Sequence, residues 1–177
     1  MPLSEALGTY GVLTGMALPC ILFPSAITNS VSTMLLPTVA EIQTLNNRRE
    51  LSNLVGKVTY SCIFLGSICC VSLLTFGEWI GAFLFHSSMA GDYIITLAWI
   101  CPFLYTNNTL ISMINGIGKT TLSFSINSAS LGIRIASVFL LIPIFGIEGY
   151  LWGLLASQIL IFLFCLLYLQ YYLRKSS

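Results

Sequence analysis

Apolar residues along this chain come in five long runs, separated by short polar connections. A bilayer core of ~30 Å takes about 20 apolar helical residues, and each run meets that requirement. The predicted spans are Gly11 to Ala40, Val58 to Phe76, Tyr93 to Ile114, Leu122 to Ile142 and Tyr150 to Leu173. Strands are excluded because lipid admits only closed barrels, and the runs lack the two-residue alternation of a barrel wall. The expected fold class is all-α: one polytopic membrane helix bundle over residues 1–177, with about five transmembrane helices. The first run is too long for a simple span, since roughly 30 residues reach about 45 Å. It must tilt, bend or break. Pro19 and Pro24 predict a helix kink, because each lacks an N–H and displaces a carbonyl that nearby hydroxyls or water must take up.

Polar side chains inside these runs are not scattered. On a helix, positions three, four and seven apart share a face. Ser25, Thr28, Asn29 and Ser32 fit that spacing in the first span, within the stretch FPSAITNSVSTMLLP. Tyr105, Asn108, Thr109, Ser112 and Asn115 do so in the third span, and Ser123, Asn127, Ser130, Arg134 and Ser137 in the fourth. Two readings are open. Such groups act as interhelical glue worth under about 1 kcal/mol each, beside close contacts such as Gly11 with Gly15 or Gly149 with Gly153. Alternatively, stripes about 15 Å or more long line a shared aqueous cavity, which solvates all the groups at once. The tentative cavity set is Arg134, Ser25, Thr28, Asn29, Ser32, Asn108, Ser112, Ser123, Asn127 and Ser130.

Arg134 adds a charge to that picture. It stands eight residues before Pro143, the predicted span end, hence roughly 12 Å inside the span. Insertion scales put its cost there at ~2.5 kcal/mol or more, so it must face protein or water, or snorkel to an interface. The functional reading is a cationic clamp for a phosphate or carboxylate, which guanidinium binds bidentately. No acidic residue falls plainly at the same depth in the sequence, so the anion is expected from elsewhere.

Composition agrees with a membrane chain: 56% of residues are hydrophobic and only 7% charged, against about a quarter charged in an average soluble domain. A net charge of +1 gives no reason to expect nucleic acid. Arg48, Arg49, Lys57, Lys119, Arg174 and Lys175 fall on alternating connections, which the positive-inside rule makes cytoplasmic. The expected localisation is the cytoplasmic membrane, multi-pass, with the N-terminus outside and the C-terminus inside. No Lys or Arg precedes Arg48, so the start lacks the basic n-region of a signal peptide. Trp79, Tyr150, Trp152, Tyr168, Tyr171 and Tyr172 lie near predicted span ends, where amphipathic rings sit at the headgroups.

Other candidate chemistry falls away. NGIGKTTLS resembles a phosphate loop, but the pattern requires Gly where Met113 stands, and a helix rather than a strand precedes it. The expected structure is a tight turn in which Gly116 and Gly118 end a helix. His86 is the only histidine and belongs in an outer loop, so neither a metal cluster nor a serine triad is expected. Cys20, Cys62, Cys69, Cys70, Cys101 and Cys165 lie in apolar runs without CxxC pairing and read as packing residues. The sequon at Asn107 lies within a span, out of reach of glycosylation. Glu78, ahead of Trp79, predicts a turn into a short interfacial segment. No enzyme activity, cofactor or metal is expected.

Three stretches then resemble a known family. ALPCILFPSAITNSVSTMLLPTVAE, INGIGKTTLS and RIASVFLLIPIFGIEGYLWG are similar to the C-terminal part of polysaccharide-type exporters of the multidrug/oligosaccharidyl-lipid/polysaccharide superfamily, nearest the stage V sporulation protein B group. That resemblance implies flipping of lipid-linked saccharides or cell-wall precursors by alternating access between two lobes. It places this chain as most of one lobe. The implied partners are the bilayer, a phosphate-bearing lipid-linked saccharide, and a missing N-terminal lobe, partner chain or second copy. A multidrug or small-solute exporter half, or a non-transporting truncated remnant or scaffold, are the alternatives.

Overall fold

The computed structural model describes residues 3–45 and 47–175. Among them every element is helical: α1 (Leu3–Val12), a π-helical turn (Leu13–Ala17), α2 (Leu18–Thr44), α3 (Arg48–Leu84), α4 (Ser88–Ala98), α5 (Cys101–Gly116), α6 (Thr120–Phe145) and α7 (Ile147–Lys175). Among the described residues four helical stretches are long and apolar enough to cross a membrane, or five if the bent pair α4–α5 counts as one broken span.

Local sequence explains the punctuation. Pro19 has no N–H to give the carbonyl of Gly15, and the helix widens just before it, where the Leu18 N–H reaches back to the Leu13 carbonyl. α2 then runs uninterrupted through Pro24 and Pro37. Asn47 caps α3, its amide taking the Glu50 N–H and donating to the Glu50 carboxylate at 2.7 Å. The α5–α6 turn closes by two bonds, Lys119 N–H to Ile114 O and Gly118 N–H to Asn115 O, with Gly118 at φ +85°. This is the glycine-dependent helix stop expected of INGIGKTTLS.

The structure departs from the sequence expectation at three places. The third span is not one straight helix from Tyr93 to Ile114: α4 and α5 meet at 52°, because the Pro102 ring collides with the carbonyl of Ala98, the last residue of α4. The second span does not end at Phe76 with an interfacial turn at Glu78. α3 continues to Leu84 with Trp79 and Phe83 stacked at 4.8 Å on its surface, since nothing from Phe76 to Leu84 breaks a helix except well-tolerated glycines. Gly11 and Gly15 make no close contact within the chain, whereas Gly149 and Gly153 do, against Leu141 and Ser137 of α6.

α5 lies at the centre, packed on α2, α3 and α7, while α6 packs chiefly on α7 and only lightly on α5. Two apolar cores result. One gathers Leu13, Ile21, Leu73, Ile94, Leu97, Tyr105 and Leu151; the other gathers Leu35, Val39, Leu51, Leu110, Met113, Ile161 and Leu169. Between them a buried polar belt crosses the bundle: Ser25, Thr28 and Ser32 of α2, Thr106, Asn107 and Thr109 of α5, and Ser157 and Gln158 of α7. Ends and middle thus differ in chemistry, and the candidate site is part of that middle.

Candidate functional site

The belt divides into a closed seam and an open cleft. In the seam, the α2 stripe meets the α5 stripe. Ser32 Oγ lies 3.2 Å from Thr109 Oγ1, and Ser112 Oγ donates to the Ser32 carbonyl. Cys62 of α3 brings its Sγ to 3.4 Å from the same Thr109 hydroxyl. Ser25 and Thr28 are buried too, their hydroxyls donating to Leu22 O at 2.6 Å and Ser25 O at 2.9 Å. Ser25, Thr28, Ser32 and Ser112 therefore sit between helices rather than in the cleft. Asn29 is exposed at the seam's edge and accepts from Asn108 Nδ2 at 2.9 Å. Ser123 is buried near the start of α6 and does not line the cleft.

The cleft opens where α6 stands off from α5. It holds about 400 Å³ and is lined by Asn107, Asn108, Asn127, Ser130, Arg134 and Gln158, with Leu22, Leu104, Ile111, Leu131 and Ile161. Four of these polar groups, Asn108, Asn127, Ser130 and Arg134, belong to the stripes read from the sequence. Of the four, Arg134 bonds to α7 and Asn108 to Asn29 of α2.

Arg134 stands roughly 12 Å from the Ile142 end of its span. Its Nε donates to Ser157 Oγ at 3.2 Å, and Ser157 passes its own proton to the Leu154 carbonyl at 2.8 Å. The neutral hydroxyl positions the guanidinium without neutralising it. Among the described residues no carboxylate pairs with Arg134, so both Nη groups keep their donors for another acceptor. A half-buried, oriented and uncompensated cation beside neutral amides and hydroxyls is suited to an anion with hydrogen-bonding substituents.

Asn107 and Gln158 escaped the stripe reading. Asn107 Nδ2 donates to both the Gln158 carbonyl, at 2.8 Å, and Gln158 Oε1, at 2.7 Å. A backbone carbonyl only accepts, which fixes the orientation of the Asn107 amide and leaves Oδ1 without a partner. The available signal was Gln158 itself, the one amide in the long apolar run of α7 before Gln170.

Fold and cleft together define an all-α, multi-span bundle of membrane-protein type with a polar cleft at mid-depth. No protein-family model matches the chain, and no solved structure matches it. The chain is similar to Stage V sporulation protein B of Bacillus subtilis (strain 168), 24% identical over 154 residues. The alignment covers 86% of this chain and 30% of that relative, so the chain spans less than a third of the relative's length. The relationship is distant.

Proposed function

We propose that this chain forms one helical bundle of a membrane transporter that moves a lipid-linked, phosphate-bearing saccharide by alternating access. The observation that carries the reading is the cleft itself: Arg134, held by Ser157 and lacking a carboxylate among the described residues, beside Asn108, Asn127 and Ser130. The cation takes the phosphate or pyrophosphate, the amides and hydroxyl solvate sugar groups, and the second wall comes from another lobe, a partner chain or a second copy. Sites at mid-depth between rocking bundles are the general architecture of secondary transporters. No bond is made or broken in this scheme. The distant similarity to Stage V sporulation protein B supports the same reading.

The experiment is a flipping assay in the complete transporter carrying Arg134→Leu or Arg134→Lys. Leu abolishes transport, and Lys, a point charge without the fork, retains a small fraction. Wild-type flipping by both variants at wild-type expression overturns the clamp. The small-solute exporter reading is separated by the same assay, because its transport of uncharged solutes survives Arg134→Leu. A scaffold reading draws on the α2–α5 seam, whose polar groups are used up in packing; it leaves the open cleft without a purpose.

A further inference from the structure

Gln158 is 3% exposed, yet its Nε2 makes no hydrogen bond among the described residues. A buried amide donor normally has a partner, because an unmet one carries its full desolvation penalty. Among the described residues, the side-chain atoms that are both sealed from solvent and unpartnered are Thr59 Oγ1 and Asn107 Oδ1. Gln158 Nε2 is not one of them, so it keeps open surface, and the space that Gln158 lines is the Arg134 cleft. Its direction is set by Asn107, whose Nδ2 donates to the Gln158 carbonyl at 2.8 Å and to Gln158 Oε1 at 2.7 Å. Turning the Gln158 amide over would bring Nε2 against Nδ2, donor against donor, so Oε1 stays on Asn107 and Nε2 points away from it. Asn107 holds this arrangement although its own Oδ1 goes without a partner. A pair serving packing alone would not leave both an acceptor and a donor unmet. A donor kept for a ligand accounts for the second of them.

Two neighbours on α7 therefore serve the cleft in different ways. Ser157 holds Arg134 Nε at 3.2 Å, and Gln158 offers a second, uncharged donor to the same space. On the reading of Arg134 as an anion clamp, which this inference rests on, we propose that Gln158 is a specificity residue that donates from Nε2 to a phosphoryl oxygen, with Asn107 the positioning residue that aims it. What separates a phosphoryl group from a carboxylate here is the number of acceptors. A guanidinium fork takes up both oxygens of a carboxylate. A phosphate monoester or a pyrophosphate has oxygens left over, and a charged oxygen drawn into a cleft needs its own donor. Gln158 supplies that donor, so the cleft selects phosphorylated sugars over sugar acids.

The test is equilibrium dialysis of the full chain in uncharged detergent against radiolabelled glucose 1-phosphate or glucuronate, two sugars of like size that differ in the anion. Both bind through Arg134, and Arg134→Leu removes both. Gln158→Met keeps the length of the side chain and the backbone carbonyl that Asn107 holds. It should weaken glucose 1-phosphate about 10-fold and leave glucuronate unchanged. Asn107→Leu should also weaken glucose 1-phosphate alone, and adding it to Gln158→Met should weaken binding no further, because no amide is left to aim. A further loss in the double variant overturns the positioning role. Wild-type glucose 1-phosphate binding by Gln158→Met overturns the proposal, while the clamp stands as long as Arg134→Leu still abolishes that binding. Equal loss of the two probes in Gln158→Met makes the residue a structural support and overturns it as well. Retention of both probes by Arg134→Leu, or of neither by the wild type, overturns the clamp reading and this inference with it.

Discussion

The Tyr105 hydroxyl donates to the Ile21 carbonyl at 2.7 Å, across the α2–α5 interface. Ile21 stands three residues before Pro24, and its carbonyl is the one that the Ser25 N–H takes in a regular helix. Pro24 removes the donor of the adjacent Cys20 carbonyl and crowds this turn, and a tyrosine from the neighbouring helix adds a hydrogen bond there. Tyr105→Phe keeps the ring and removes the donor, with an expected loss of about 1 kcal/mol in detergent unfolding. In a Pro24→Ala background, where a regular turn reforms, the same change should cost clearly less. Equal costs in both backgrounds would separate the hydroxyl from the proline.

Gly153 is where α7 comes closest to α6. A Cβ at that position collides with the Cβ and Oγ of Ser137. Gly153→Ala should therefore destabilise the α6–α7 pair by about 1–3 kcal/mol, as overpacking does. Ser137→Gly removes the colliding atoms and should restore most of the loss. Thermal unfolding of the single and double variants in the same detergent checks this; failure of rescue places the collision elsewhere.

Seam and cleft differ in their access to water. Single cysteines at Asn127 and Arg134 should react with a charged, water-soluble maleimide, since both positions line the open cleft. Cysteines at Ser25, Thr28 and Ser32, which are 5%, 2% and 8% exposed, should resist it until the chain is unfolded. The six native cysteines are replaced first, to give a clean background. Equal labelling of both sets contradicts the division of the belt.

Asn107 and Gln158 form the polar tie between α5 and α7. A double-mutant cycle of Asn107→Leu and Gln158→Leu should show a coupling of about 0.5–1.5 kcal/mol in unfolding. Additive effects would mean that the two amides stabilise the bundle independently.

Hydropathy was enough to read the helices, because a run of about 20 apolar residues has one stable form in lipid. It failed at Trp99–Ile100, where the composition stays apolar while Pro102 turns the chain, and at Phe76–Leu84, where a helix outlasts its strongest apolar stretch. Arg134, Asn108, Asn127 and Ser130 were legible as members of stripes. Their separation from Ser25, Thr28, Ser32 and Ser112 was not. Spacing identifies a face, but the neighbour that the face meets depends on helix pairing, which no local pattern encodes. Asn107 lies one residue off its stripe and becomes visible only through Gln158.

The polar belt also sets alignment along the bundle axis. In lipid, sliding one apolar helix past another changes little, because hydrocarbon on either side is an equal solvent for leucine. A shift of α2 by one turn, about 5.4 Å, would carry Ser32 away from Thr109 and Ile21 away from Tyr105. The belt works as a vernier, graduating otherwise uniform rods so that α2, α5 and α7 fit at one setting.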